Sequence, residues 1–326
     1  MVGEPKTLLE LAMAAARSRT TWNGWLESAE KPASDHEETK IERAAKLVTD
    51  IVNNNTWMLL QGFVVKPQGS YFNNTNVRLE ADMDLRIEIS DIKTEYLGGL
   101  DEAKVAGLKT FTGTGRTFVD LNRDVRQVLE TDLVKLFGRS SVDASGEKAI
   151  KVHGLDGSRA DCDIVPTFDL NVFMGPPLYA PYMVRGVAIL GRSSFGWTYN
   201  FPEQHHDNGI AKRTRTSHRF KRIVRMLKRL NYELETRGEI PRRIPSFYVE
   251  CLVYCVEDEY FLVEQDDRYD RLLRILGRLF TRLSDASWCN EATEVNHIKF
   301  LFRSNFSWDA AEALRFVAAA INRLKA

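Results

Sequence analysis

The chain has 326 residues, of which 44% are hydrophobic and 28% are charged, so it can bury a sizeable core as one two-lobed unit or two closely associated domains. Its 45 basic residues equal its 45 acidic residues, which argues against a nucleic-acid or membrane partner selected by overall charge and leaves only a local basic patch. The four cysteines have neither CxxC spacing nor a neighbouring histidine cluster. This argues against a zinc site and suits a reducing compartment.

The N-terminal twenty residues read poorly as a signal peptide, because Glu4 and Glu10 interrupt the apolar run that contains Leu8 and Leu9. No apolar stretch elsewhere is long enough to span a bilayer. We therefore expect a cytoplasmic protein without a membrane partner.

Two helices are predicted first along the chain. Residues 36–60 carry apolar side chains at helical spacing, and a shorter helix precedes them around residues 8–16. Both are predicted to pack against the core rather than to carry chemistry.

A Gly-Ser pair, Gly69-Ser70, follows the strand signal of Val64-Val65 and precedes a predicted helix over Tyr71 to Leu79. At a loop-to-helix junction, such a pair can offer backbone N–H groups and a hydroxyl to phosphate oxygens, where the helix dipole also favours negative charge. By itself the pair is more often an ordinary turn.

Residues 82–89 alternate strictly, with the polar side chains on one face and Met83, Leu85, Ile87 and Ile89 on the other, which predicts a strand with one buried side. Asp82 and Asp84 then project side by side. Paired carboxylates suit Mg²⁺, which prefers carboxylate oxygens and substrate phosphates. Without a cation, two such neighbours repel each other.

A third carboxylate is expected from a hairpin around Asp156-Gly157. Its second strand, Arg159 to Val165, places Asp161 and Asp163 on one face. Phosphoryl transfer at two metals needs such a carboxylate to complete the cation site, and the pattern alone does not separate Asp161 from Asp163.

The composition shifts after Asp169 to Gly, Pro and aromatic residues, including Gly175-Pro176-Pro177, which we interpret as a connection between lobes. From residue 211 onward the pattern is mainly helical. Nine basic residues fall within 212–229, and a basic run on an amphipathic helix is typically its solvated face. No Walker GxxxxGK[ST] motif is present, and Gly113-Thr-Gly115 lacks strand and helix context, so a P-loop NTPase is disfavoured.

Several runs taken together resemble one known family. They are Gln68-Gly-Ser-Tyr-Phe-Asn-Asn-Thr75-Asn-Val77, Glu80-Ala-Asp82-Met-Asp84, Asp163-Ile-Val-Pro-Thr-Phe-Asp169, Asn200-Phe-Pro202-Glu, Phe220-Lys-Arg-Ile-Val-Arg-Met-Leu-Lys228 and Ile244-Pro-Ser246-Phe247. The joint pattern, over roughly residues 60 to 260, is similar to the bacterial CD-NTases, which are relatives of cyclic GMP-AMP synthase and oligoadenylate synthase.

The resemblance implies an α+β fold, with a two-lobed polymerase-beta-like nucleotidyltransferase core of a mixed sheet and flanking helices, followed by a C-terminal helical lobe. We place the core with its N-terminal helices at 1–210 and the helical lobe at 211–326. Asp82, Asp84 and Asp163 are the implied catalytic and metal residues, with Asp163 preferred over Asp161 because its run resembles oligoadenylate synthase. The implied nucleotide-binding residues are Gln68, Gly69, Ser70, Lys228, Ser246 and Phe247.

The implied activity is synthesis of a cyclic di- or trinucleotide second messenger from nucleoside triphosphates, with pyrophosphate release and two Mg²⁺ ions per site, for which Mn²⁺ can substitute. The implied partners are an effector protein that senses the product in antiphage defence and, since some members are handled through a small C-terminal residue, a conjugation partner at Ala326. Activation by long DNA is not implied, because the zinc-binding insertion of the animal DNA sensor has no counterpart here.

Two alternatives remain at this point. The same metal site serves a nucleotidyltransferase that modifies an RNA end, a protein or a small molecule. A non-catalytic nucleotide sensor is a third hypothesis, against which the intact Asp82, Asp84 and Asp163 argue.

Overall fold

The computed structural model describes residues 8–77, 82–99, 102–108, 117–174, 182–262, 267–302 and 308–326. The chain divides into two compact units. The first, which we call the sheet unit, comprises Ala33–Asp207 and Asn296–Lys299; the second, the helical unit, comprises Met1–Pro32, Asn208–Val295 and Phe300–Ala326. The predicted domains, 1–210 and 211–326, stay a prediction.

The described residues form helices with the following bounds: α1 (Leu8–Ala29), α2 (Asp35–Asn54), α3 (Thr56–Gln61), α4 (Gly69–Phe72), α5 (Phe118–Phe137), α6 (Pro202–Arg215), α7 (Arg219–Thr236), α8 (Ser246–Tyr254), α9 (Arg268–Leu283), α10 (Ala286–Glu291) and α11 (Ala310–Lys325). None of these helices is long and apolar enough to cross a membrane.

The strands are β1 (Val64–Gln68), β2 (Met83–Gly99), β3 (Glu102–Leu108), β4 (Val142–Asp143), β5 (Ile150–Val152), β6 (Cys162–Met174), β7 (Tyr182–Leu190) and β8 (Trp197–Asn200). They form one mixed sheet along the path β1-β2-β6-β5-β4, with β3 paired to β2, β7 paired to β6, and β8 paired to β7. The central pair β2 and β6 is parallel, and the other pairs are antiparallel. With its flanking helices and separate helical unit, the fold confirms the predicted α+β class.

Helices α2 and α5 cover one face of the sheet, because their buried apolar stripes share a core with the inward side chains of β2 and β6. A capping box at Ser34 begins α2, and another at Thr117 begins α5. The helix predicted over 36–60 is interrupted at Asn55, which has an extended backbone and accepts from the N–H of Met58 to cap α3.

The predicted alternation of β2 is confirmed on its apolar side, where Met83, Leu85 and Ile87 are buried. The polar side differs from expectation, because Arg86 and Glu88 are buried as well. Their burial is tolerated because they are paired: Arg86 Nε lies 2.7 Å from Glu88 Oε1. The two faces of β2 are therefore an apolar core and a charged network.

The interpretation of the Gly- and Pro-rich segment as a connection between lobes is wrong. Residues 175–181 lie outside the described residues, but the strands on either side of them pair antiparallel within one sheet, with Met174 opposite Tyr182. The segment therefore joins neighbouring strands, for which Gly and Pro are equally typical.

The helical unit has its own core, formed by α1, α7, α8, α9 and α11. Leu26 and Ala29 of α1 belong to that core. Helical periodicity shows that a face is apolar but not which partner it meets.

The basic run also differs from the solvated face that its pattern suggested. Lys221, Arg225 and Lys228 of α7 are buried. Burial lowers the pKa of Lys221, and it lowers the pKa of Arg225 to about 10. Arg225 Nε donates to the carbonyl of Glu30, at 2.6 Å.

Candidate active site

Two of the three predicted metal aspartates lie opposite each other on the central strands. In the parallel register of β2 and β6, Asp84 is the partner of Asp163 and Met83 is the partner of Cys162, so the two carboxylates leave the same face of strands about 4.8 Å apart. Asp82 comes directly before β2 and is half-buried. Burial raises the pKa of the Cys162 thiol, and the charges of the surrounding aspartates raise it further.

The Gly-Ser turn, residues 68–70, lies against Asp84. Gln68 ends β1 and pairs with Asp84 in the antiparallel register. Gly69 has a φ of +72°, and a Cβ atom added there would lie 1.8 Å from Asp84 Oδ2. Only glycine satisfies both conditions, because it tolerates positive φ and has no side chain. The turn therefore places its backbone directly beside the carboxylate of Asp84, one of the predicted metal ligands.

The helix predicted after the Gly-Ser turn is much shorter than expected. It ends at Phe72 after four residues, and the turn closes when the N–H of Thr75 donates to the carbonyl of Ser70 at 2.9 Å. Residues 78–81 lie outside the described residues. Because a helix dipole needs several aligned peptides, any phosphate interaction here rests on individual N–H groups and the Ser70 hydroxyl.

Asp161, the alternative to Asp163, is engaged elsewhere. Its Oδ1 accepts from the backbone N–H of Gly154 at 2.5 Å, and its Oδ2 lies 3.3 Å from Lys151 Nζ. Burial opposes the charge of Asp161, but these two contacts outweigh it and lower its pKa. The geometry therefore favours Asp163, which lies opposite Asp84, as the third carboxylate.

Asp163 lies in an environment that disfavours its charged form. Burial raises its pKa, with a further increase from Asp161, while Lys151 acts in the opposite direction. Lys151 is also its direct cross-strand partner. A carboxylate with a raised pKa binds a proton more readily, so at acid pH a proton would compete with a cation for Asp163.

The donor set fits a hard divalent cation, because three aspartates supply only carboxylate oxygens. As placed, no three His, Cys, Asp or Glu side chains among the described residues lie close enough together to hold a metal ion. Asp84 is turned towards Gly69. Rotation about the side-chain torsions, which is inexpensive for a half-buried aspartate, can direct the carboxylates to a common cation.

Asp163 in β6 and Asp161, which directly precedes that strand, allow a paired test of which carboxylate binds the cation. We expect Asp163→Asn to reduce pyrophosphate release at least about a hundredfold, because a lost cation ligand costs several kcal/mol of transition-state stabilisation. We expect Asp161→Asn to stay within about fivefold of the parent, because it breaks only an exposed ion pair. Initial rates at saturating Mg²⁺ measure both, and equal losses in the two variants would contradict the assignment.

The remaining predicted residues belong to the helical unit. Lys228 is buried on α7, Ser246 is the first residue of α8, and the Phe247 side chain is 40% exposed. Asn231 of α7 holds the segment before α8, because its Nδ2 donates to the Ile244 carbonyl at 2.8 Å and its Oδ1 accepts from the Ile244 N–H at 3.2 Å. This clamp fixes where α8 begins.

Sequence reasoning missed three residues that shape these surroundings, namely Lys151, Arg86 and Asn231. Lys151 could have been found by continuing the register of the predicted hairpin across from Asp163. Glu88 lies two residues beyond Arg86 on the same strand face, so alternation could have signalled that ion pair. Glu203, the second partner of Arg86, is distant in sequence, and Ile244, the partner of Asn231, lies in an irregular segment, so no local pattern signals these two contacts.

Comparisons with known proteins agree with the fold. The family model described as "cGAS/DncV-like nucleotidyltransferase C-terminal helical domain" matches residues 207–325. The chain is 33% identical over 303 residues to a "Cyclic dipyrimidine nucleotide synthase CdnE" of Legionella pneumophila, covering 92% of this chain and 96% of the relative. It is 29% identical over 299 residues to a "Cyclic dipurine nucleotide synthase" of Elizabethkingia meningoseptica, covering 90% and 95%.

The fold is also similar to a solved structure, that of Elizabethkingia meningoseptica CdnE cyclic dinucleotide synthase with GTP and Apcpp. The TM-score is 0.71 at 28% sequence identity, with 93% of this chain and 98% of that chain covered. Since one relative is 33% identical over nearly its whole length and the C-terminal helical domain is matched, this chain belongs to the cGAS/DncV-like nucleotidyltransferases, the CD-NTases.

Proposed function

We propose that this protein joins two nucleoside triphosphates into a cyclic dinucleotide, releasing one pyrophosphate at each of the two bond-forming steps. The observation that carries the proposal is the placement of Asp84 opposite Asp163, with the Gly69 backbone against Asp84. It is supported by two relatives, matched over nearly their whole length, that are named cyclic dipyrimidine and cyclic dipurine nucleotide synthases. Each step forms a phosphodiester from a ribose hydroxyl and an α-phosphate.

The roles of the sheet unit follow from its chemistry. Asp82, Asp84 and Asp163 hold divalent cations, for which we propose two Mg²⁺ per site, with Mn²⁺ as a substitute. When bound, these cations neutralise the triphosphate and favour the alkoxide form of the attacking hydroxyl. The Gly-Ser turn holds the triphosphate through its N–H groups and the Ser70 hydroxyl, and the absence of a side chain at Gly69 allows close approach.

The roles of the helical unit rest on family membership. Lys228 and Ser246 contact the triphosphate, and Phe247 stacks on a nucleobase. A lysine suits this role because its ammonium is a compact charge for phosphate oxygens. Phe247 is 40% exposed, which suits an aromatic contact with a base, and stacking does not select among bases.

Family membership also supports a wider proposal, that the cyclic product is a second messenger read by an effector protein in antiphage defence. The relatives divide in the bases that their names specify, one naming pyrimidines and one naming purines. A test of function must therefore offer all four nucleotides together and singly.

The function is tested by incubating the protein with all four NTPs and Mg²⁺, followed by phosphatase treatment and mass spectrometry. We expect a phosphatase-resistant product with the mass of a cyclic dinucleotide and two pyrophosphates per product molecule. Formation of linear products only, or transfer of nucleotide solely to an added RNA or protein acceptor, would contradict the proposal. EDTA should abolish the product, and Mn²⁺ should restore it.

A further inference from the structure

The segment Asn200-Phe201-Pro202-Glu203 belongs to the pattern that the chain shares with its family, yet none of the roles above uses it. In the structure β8 ends at Asn200 and α6 begins at Pro202. All contacts considered below lie within the sheet unit. They show what the start of α6, residues 202–206, is attached to.

The start of α6 is first fixed to β7. Phe201 is buried, and a Cβ atom added at Gly186 would lie 2.7 Å from its ring, so the ring packs directly on the β7 backbone. Gln204 Nε2 donates to the Arg185 carbonyl at 2.8 Å. The helix therefore begins at a defined position on the sheet.

A second attachment reaches the metal-binding strand. Arg86 lies two residues beyond Asp84 on the same face of β2 and is only 2% exposed. Its Nη2 donates to Glu203 Oε1, and its Nε donates to Glu88 Oε1. A buried guanidinium that is bonded to two carboxylates is costly to displace, so it ties Glu203 to β2.

A third attachment reaches the Gly-Ser turn. The ring of His206 stacks on Phe72, with centroids 4.0 Å apart and planes inclined by 20°. His206 Nδ1 also lies 3.3 Å from Asn73 Oδ1. Phe72 is the last residue of α4, whose first residue is Gly69, so this contact restrains the turn itself.

Glu203 and His206 are three residues apart and therefore share one face of α6. Glu203 is bonded to Arg86 of β2, the strand that carries Asp84. His206 packs on Phe72 of α4, the helix that begins at Gly69. We propose that Glu203 and His206 are positioning residues of the active site, which act through Arg86 and Phe72 to set the Gly-Ser turn at its distance from the metal aspartates. The proposal rests on the proposed function but adds residues that touch neither nucleotide nor cation.

The test compares His206→Ala with His206→Phe. Alanine removes the stack, and phenylalanine keeps it. We expect alanine to weaken binding of a non-hydrolysable NTP about tenfold and to raise KM by a similar factor, with a smaller change in kcat, because the turn binds the triphosphate in both ground and transition states. Phenylalanine should restore binding to within about twofold of the parent.

Glu203→Ala probes the other attachment, since the Glu203 side chain is 49% exposed and its loss leaves Arg86 bonded to Glu88. We expect a several-fold rise in the Mg²⁺ concentration for half-maximal activity, with a smaller change in NTP affinity. Trp57→Ala is the control for loss of a ring contact elsewhere in the sheet unit, because Trp57 of α3 lies against Phe63, with ring centroids 5.4 Å apart.

Calorimetric titration of the NTP analogue and thermal unfolding are measured for every variant. Parent-like binding in His206→Ala, or equal weakening in His206→Ala, His206→Phe and Trp57→Ala in step with their melting temperatures, would overturn the positioning role. Parent protein that binds the analogue but forms no cyclic product would overturn the proposed function instead. The two failures are therefore distinguishable.

Discussion

Replacing Asp82 and Asp84 together with alanine is expected to reduce pyrophosphate release from mixed NTPs by roughly a thousandfold or more. The pair supplies two of the three carboxylates at the candidate cation site, and losing cation stabilisation of the phosphoryl transition state costs several kcal/mol. The fold should persist, because removing neighbouring like charges relieves repulsion. A coupled pyrophosphate assay measures the rate, and circular dichroism measures the melting temperature.

The matched control for this variant is Asp156→Ala, which removes a carboxylate from the exposed hairpin loop before Asp161. We expect it to keep parental activity. Full activity in the double variant would exclude these aspartates from catalysis, whereas a large fall in melting temperature would show that they act on the fold instead.

Gly69→Ala is expected to lower activity by about a hundredfold or more while the protein still folds. The left-handed backbone conformation alone costs an alanine roughly 1–2 kcal/mol. The added methyl group must also displace the Asp84 carboxylate, because its position lies 1.8 Å from Oδ2. A misplacement of about 1 Å at a catalytic group can cost a hundredfold in rate.

Gly238→Ala separates the cost of the left-handed backbone from the displacement of the Asp84 carboxylate. Gly238 has a φ of +71°, nearly the same as Gly69, but no atom within 4 Å of an added Cβ. We expect both variants to lose similar unfolding free energy from the backbone, measured by urea denaturation, and only Gly69→Ala to lose activity. Loss of activity in both would indicate general destabilisation rather than displacement of Asp84.

The sequence alone determined the local elements that carry the chemistry. Strict alternation predicted that Met83, Leu85 and Ile87 face the core, since side chains of a strand point to alternating sides. The Asp156-Gly157 dipeptide predicted the hairpin before β6, where Gly157 has positive φ. The joint motif predicted the family, because several short patterns in one order are far more specific than any one of them.

Tertiary structure decided the features that depend on contacts distant in sequence. The alternation pattern placed Asp161 and Asp163 on one face of the strand. Only the register of β2 with β6 set Asp163 opposite Asp84. Asp161 instead contacts Lys151 and Gly154. Lys221, Arg225 and Lys228 of α7 looked solvated because a helix pattern does not show which faces other helices cover. Gly69 looked like an ordinary turn residue, since the close approach of Asp84 arises from pairing between strands. A sequence specifies periodicity and turn chemistry locally, but burial and charge pairing follow from which elements pack together.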